Sequence, residues 1–379
     1  MIRVAWGIAV TALGGLMFLI LAQFSPAVSK STPGNAASLT AAGDGRFVVH
    51  EWGTFTTFAG SDGVQLDFRP LLDADLPSFV LNRERQAGAR SMLTKSSLFG
   101  SVRMETPVTY FYVDEPRVVE VKVEFPHGLL TEFYPPVRSM LPAYNGPASS
   151  RGPSELNWGR VQLIPEKSLR PQLANEALSR ELGSRLMAAA PPQEYGQFHY
   201  EAARATDAAL VAVNLPPVDF AKSPALTLPP PGGLHLEKFL FYRGVGKFPL
   251  PLQAAVQQDG AVKIENTGAD PIRSFFFIDV APGANGVTIM RSQLSALESN
   301  STATIPSPAE ALTLPDLAQE VQRELVKAGL FEKEAMAMVN TWSGSWFSEP
   351  GRRLFYIVPT AVTNRVLPLH INPPPDESV

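Results

Sequence analysis

The sequence predicts a mainly β protein, sandwich-like and antiparallel, with a few helices and an apolar N-terminal segment ahead of the folded part. Three observations carry that expectation. Residues 117–125 alternate, with Val119, Val121, Val123 and Phe125 on one side and Glu120, Lys122 and Glu124 on the other, which is the period of a half-buried strand. Thirty-five prolines punctuate the 379 residues, favouring short strands joined by rigid loops over long helical bundles. Strand-like runs recur along most of the chain after residue 45, whereas a helical period stands out in only three places.

From Val4 to Ala22 the chain carries no charge, behind a single basic residue, Arg3. That run is long for the core of a cleaved signal and close to the roughly 20 residues that span a bilayer. Residues 1–24 are therefore expected to be a signal peptide or a transmembrane signal anchor. Ser25-Pro26-Ala27 and Ala27-Val28-Ser29 both offer small residues to a signal peptidase. Arg3 on the short flank keeps the N-terminus in the cytoplasm and sends the rest outward. Residues 25–45, rich in Ser, Ala, Thr, Pro and Gly, read as a flexible tether.

The folded part opens with 47–58, where Phe47, Val49, Glu51, Gly53 and Phe55 share one strand face and His50, Trp52, Thr54 and Thr56 the other. Val108–Val113 is apolar on both faces, as in a central buried strand. With Arg117–Phe125 it is expected to form a hairpin across Glu115-Pro116. Leu129–Tyr134, Leu156–Ile164, Phe198–Ala203 and Ala209–Val213 follow as strands, with an amphipathic helix over 171–189. A proline-rich run, 215–233, then reads as a connection between an N-terminal β-rich domain, 46–214, and an immunoglobulin-like β region, 234–379. In the second region His235–Arg243 restarts the pattern, and Leu252–Gln257 pairs with Ala261–Asn266 across Asp259-Gly260. Ile272–Val280 and Val287–Arg291 add strands. A helical hairpin starts at Pro315 and resumes at Glu332, and Leu354–Val358 and Val366–Ile371 close the chain.

Several residues are candidates for chemistry. Glu51 carries a carboxylate on an apolar face, where a charge must be paired or protonated. A functional role makes it a general base or a metal ligand, and a structural one pairs it with Arg103, Arg243 or backbone amides. His50 stands beside it, but strand alternation points the two apart unless a bulge near Gly53 reorients one. Glu105 is a candidate second carboxylate for glycosidase-like acid–base work, with surface exposure as its alternative fate. His199 is a further catalytic candidate. Arg243, Gly244, Gly246 and Lys247 form a candidate anion nest, against the simpler reading of a strand that turns sharply. No histidine stands at metal-ligand spacing, so no metal site and no cofactor is predicted, although scattered His and Glu leave a divalent metal open. With no cysteine the chain has neither disulfides nor a thiol nucleophile, and its net charge of −4 gives no footprint for nucleic acid.

Four phrases are similar to a group of exported bacterial proteins: the stretch opening at His50-Glu51-Trp52-Gly53-Thr54-Phe55, Met104-Glu105-Thr106-Pro107, the run Glu237 to Gly246, and Val366-Leu367-Pro368-Leu369-His370-Ile371. The resemblance implies export and one shared fold, and it transfers no catalytic residue. The resulting expectation is a membrane-tethered protein of the cell envelope, facing the periplasm or secreted after cleavage. Its partners would be the membrane, through the N-terminal segment, and an envelope protein or glycan. A binding or scaffolding module is the leading expectation. An exported hydrolase of a glycan or ester, using Glu51 and Glu105 with His50 or His199, is the alternative.

Overall fold

The computed structural model describes residues 45–60, 62, 64–67, 76–77, 79–83, 100–143, 152–168, 199–215, 233–283 and 286–379. The apolar segment, the tether, the helix expected over 171–189 and most of 215–233 lie outside the described residues. From Gly45 to Val379 the chain forms one unit, built mainly of antiparallel sheet.

Apolar side chains on both faces of a strand require cover on both faces, and this arithmetic builds a stack. A central sheet orders Glu377–Ser378, Phe47–Thr56, Val102–Val113, Leu240–Gly246, Gly128–Tyr134 and Leu81–Asn82. One of its faces packs through Phe47, Val49, Phe111, Leu130 and Tyr242 onto an outer sheet, where Val121, Val123, Trp158 and Val211 complete the interface. That outer sheet runs Gly233–Glu237, Leu210–Leu215, Ser154–Ile164, Arg117–Phe125 and Leu369–Asn372, with Ser139–Leu141 also paired to Ser154–Ile164. The other face of the central sheet packs through Trp52, Val108, Tyr110 and Phe241 against helix Glu332–Trp346, which contributes Ala335, Met338 and Trp342. Beyond it, Val339 of that helix and Leu317 and Val321 of helix Leu314–Lys327 meet Phe276, Ile278, Val280 and Ile289 of a four-stranded sheet. Phe275 and Phe277, on the far face of that sheet, pack on a three-stranded sheet through Val262, Ile264 and Ile305. The order is therefore sheet, sheet, helices, sheet, sheet.

Several expected elements stand where the sequence puts them. The strand Arg117–Phe125 has the expected bounds and sits in the outer sheet, its Val and Phe face buried. The helical hairpin is present: Thr313 caps the first helix at the Asp316 amide, and Gly329 turns the chain with φ +114°. Strands Leu252–Val256 and Val262–Asn266 pair as expected. Their loop, however, spans Gln258 to Gly260, with Gly260 at φ +83° closing it as a left-handed residue after a tight turn.

Other expectations are corrected. Val102–Val113 and Arg117–Phe125 do not form a hairpin: the first pairs with Phe47–Thr56 and Leu240–Gly246, the second with Ser154–Ile164 and Leu369–Asn372. The turn at 114–116 carries the chain between layers. His199–Ala202 is a short helix, not part of a strand. His235–Arg243 is broken at Lys238-Phe239 into two strands of different sheets. The boundary at 215–233 does not divide two domains either. Leu210–Leu215 and Gly233–Glu237 are antiparallel neighbours, so the proline-rich run leaves one sheet and returns to it, and Leu240–Gly246 lies between strands from the first half. Among the described residues no helix is long and apolar enough to cross a membrane.

Candidate functional site

The first strand distributes the candidate residues. Its pleat sends Glu51 toward the outer sheet and His50 and Trp52 toward the helices. The register slips between Trp52 and Thr54, where Gly53 opposes Thr106-Pro107. That bulge does lie near Gly53, as the sequence allowed, but it comes after both residues and leaves His50 and Glu51 on opposite faces.

Glu51 meets neither Arg103 nor Arg243. Its carboxyl Oε1 accepts the hydroxyl of Tyr242, which lies 3.3 Å from the Thr109 hydroxyl. Burial pushes the Glu51 carboxyl up to about 7, with the Tyr242 bond pulling the other way. The same burial, reinforced by Glu51, holds the Tyr242 phenol well above its ordinary range. Burial thus shifts the carboxyl toward its protonated form. Arg103 instead pairs with Glu105 at 3.1 Å, and Glu105 also accepts the Thr56 hydroxyl at 3.0 Å. Glu105 is accordingly drawn in and only about one-seventh exposed at 14%, not left on the surface. It projects from the central sheet on the side opposite Glu51.

The run Arg243 to Gly246 ends a buried strand bonded on both sides, with Lys247 following it. Its amides are spent on the ladder, and Gly244 and Gly246 keep negative φ, so no anion nest forms. Gly244 is explained by packing: a Cβ there would stand 2.6 Å from the Leu129 carbonyl oxygen. Arg243 is register-paired with Glu132 on the face opposite Tyr242, and Lys247 makes an exposed bond to Asp67 at 2.6 Å. His199 opens its short helix, whose Tyr200 packs in the same buried cluster as Trp52.

His50 has a partner that sequence reasoning missed. Its Nδ1 lies 2.6 Å from Oε2 of Glu334, with both side chains sealed from solvent. The same oxygen accepts the Phe331 amide at 2.8 Å. Burial first, then Glu334, holds the Tyr112 phenol protonated far above its usual range. Phe331 packs tilted against the imidazole at 4.5 Å between centroids, and Tyr112 meets Phe331 edge-on at 4.7 Å. His50 Nε2, Trp52 Nε1 and Glu334 Oε1 have no partner among the described residues. A signal for Glu334 existed: it stands three residues into the helix after Phe331, where a glutamate caps the preceding amide. Nothing local points from it to His50, 284 residues away.

Tyr112 and Phe331 also wall an open cleft of about 270 Å³, bordered by Arg46, Asp114, Glu166 and Asp207. Among the described residues no group of three His, Asp or Glu is placed to hold a metal ion. No family model, no curated protein and no solved structure matches this chain.

Proposed function

We propose that the chain is a tethered protein of the cell envelope that binds or organises a partner there, without chemistry of its own. One observation carries this reading: Glu51 and Glu105 project from opposite faces of the central sheet, each with a partner inside the fold. A glycosidase needs two carboxylates flanking one bond, roughly 5–9.5 Å apart across a substrate. Here a sheet separates them, and His50 is committed to Glu334. The hydrolase reading loses the pair on which it rested.

The tether is inferred from the sequence. The uncharged run Val4–Ala22 behind Arg3 fits a signal or anchor, and the four shared phrases support export. The packing of the three-stranded sheet on the four-stranded one supports a sandwich-like region near the C-terminal end. Fractionation of bacteria expressing the full chain tests the reading. The protein is expected in the envelope fraction, degraded when protease is added to spheroplasts and intact in unbroken cells. Recovery in the cytosol, protected in spheroplasts, overturns it.

A further inference from the structure

We propose that the cleft over Tyr112 and Phe331 binds an organic ammonium ion. The inference rests on reading the chain as a binding module and names the ligand chemistry of its cleft. Shape comes first. About 270 Å³ accommodates a small organic group, and Val48, Val113 and Ala209 are among the residues that line it. His50 packs tilted against Phe331, and the residue keeps 41% of its surface exposed.

Charge decides the sign of the ligand. Asp114, Glu166 and Asp207 line the cleft against one cation, Arg46. Arg46 is held by Glu377, Lys333 by Asp207 at 2.6 Å, and Lys238 lies 4.0 Å from Glu166. Asp114 accepts only the Arg46 backbone amide among the described residues, so no cation balances it. Behind the rings, Glu334 is fully buried and its Oε1 has no partner. An anion finds no helix end here: the Phe331 amide is taken by Glu334, and the first turn of the helix carries Glu332 and Glu334. A quaternary or primary ammonium meets both needs, placing positive charge over an aromatic face beside Asp114, the lining carboxylate that no cation balances among the described residues.

Calorimetry on the full chain in a maltoside detergent tests the proposal. Tetramethylammonium and 1,5-diaminopentane would be titrated separately, with sodium chloride of matched ionic strength as the control. Saturable binding is expected for at least one amine and for no sodium salt. Phe331→Ala and Asp114→Asn should each weaken it about threefold to thirtyfold, the range of a cation–aromatic or single-charge contribution. Thermal unfolding checks that each variant folds, and if Phe331→Ala does not, Asp114→Asn decides. Phosphorylcholine, run alongside, separates a lipid headgroup from a free amine by which binds more tightly. No saturable heat with either amine, or binding in Asp114→Asn equal to the parent, overturns the proposal. These outcomes are independent of location: an envelope protein that binds no amine loses the cleft and keeps its tether.

Discussion

Glu51 shows what one residue can announce and what it conceals. Its place among Phe47, Val49 and Phe55 makes an inward carboxyl legible from alternation alone. Its partner is not legible, since Tyr242 is 191 residues away and reaches it only once two further strands are in register. An arginine is the partner that charge logic suggests; the fold supplies the Tyr242 hydroxyl instead, while burial pushes the carboxyl toward its protonated form. This has a measurable consequence. Unfolded, Glu51 loses its proton near its ordinary value of 4.5, and folded it does so near 7. Between those values the native chain holds a proton that the unfolded chain has released. Its contribution is fully present below the unfolded value and is lost as pH rises through the folded one. The expected slope is at most about 1.4 kcal/mol per pH unit. Urea unfolding at pH 5, 6 and 7.5 should show parent stability falling relative to Glu51→Gln, and parallel curves for the two proteins would refute it.

At the scale of elements, the side-chain pattern of a strand reported its layer better than its neighbour. Arg117–Phe125 has one polar face and lies in the outer sheet, while Val108–Val113, the half of its strand that is apolar on both sides, lies in the central one. Two strands of such different character belong to different layers, so the turn chemistry of Glu115-Pro116 misled about pairing. The glycines separate in the same way into those that turn and those that pack. Gly260 sits in a loop at φ +83°, and a Cβ there would come 2.9 Å from a Ser307 hydroxyl that can rotate away. Gly260→Ala should cost about 1 kcal/mol, chiefly from backbone strain. At Gly244 the obstacle is the backbone oxygen of Leu129 in a ladder bonded on both sides. Gly244→Ala should therefore cost about 3 kcal/mol or more, because strands rather than a side chain must move. Thermal melts of the two variants rank them, and an equal loss would contradict the distinction.

For the whole molecule, the stack of layers was only partly readable. Two-faced apolar strands implied covered sheets, but the proline-rich run 215–233 looked like a domain boundary because composition cannot show that a chain returns to the sheet it left. What the stack needs is registration between the central sheet and the helices, and the buried pair of His50 and Glu334 sits at that seam. Apolar packing through Trp52, Tyr110, Ala335 and Met338 supplies cohesion there without direction. A hydrogen-bonded pair with no solvent access favours one alignment, since any other leaves a buried polar group without a partner. Removing one member should therefore be worse than removing both. Glu334→Leu alone strands an imidazole in an apolar seam, at a cost of roughly 3 kcal/mol or more. The double variant His50→Leu with Glu334→Leu removes the stranded imidazole and should recover part of that loss, the Phe331 amide still lacking its cap. A double-mutant cycle by urea unfolding measures the coupling directly. Additive losses would mean that the pair does not act as a unit, and that the apolar contacts alone align helices and sheet.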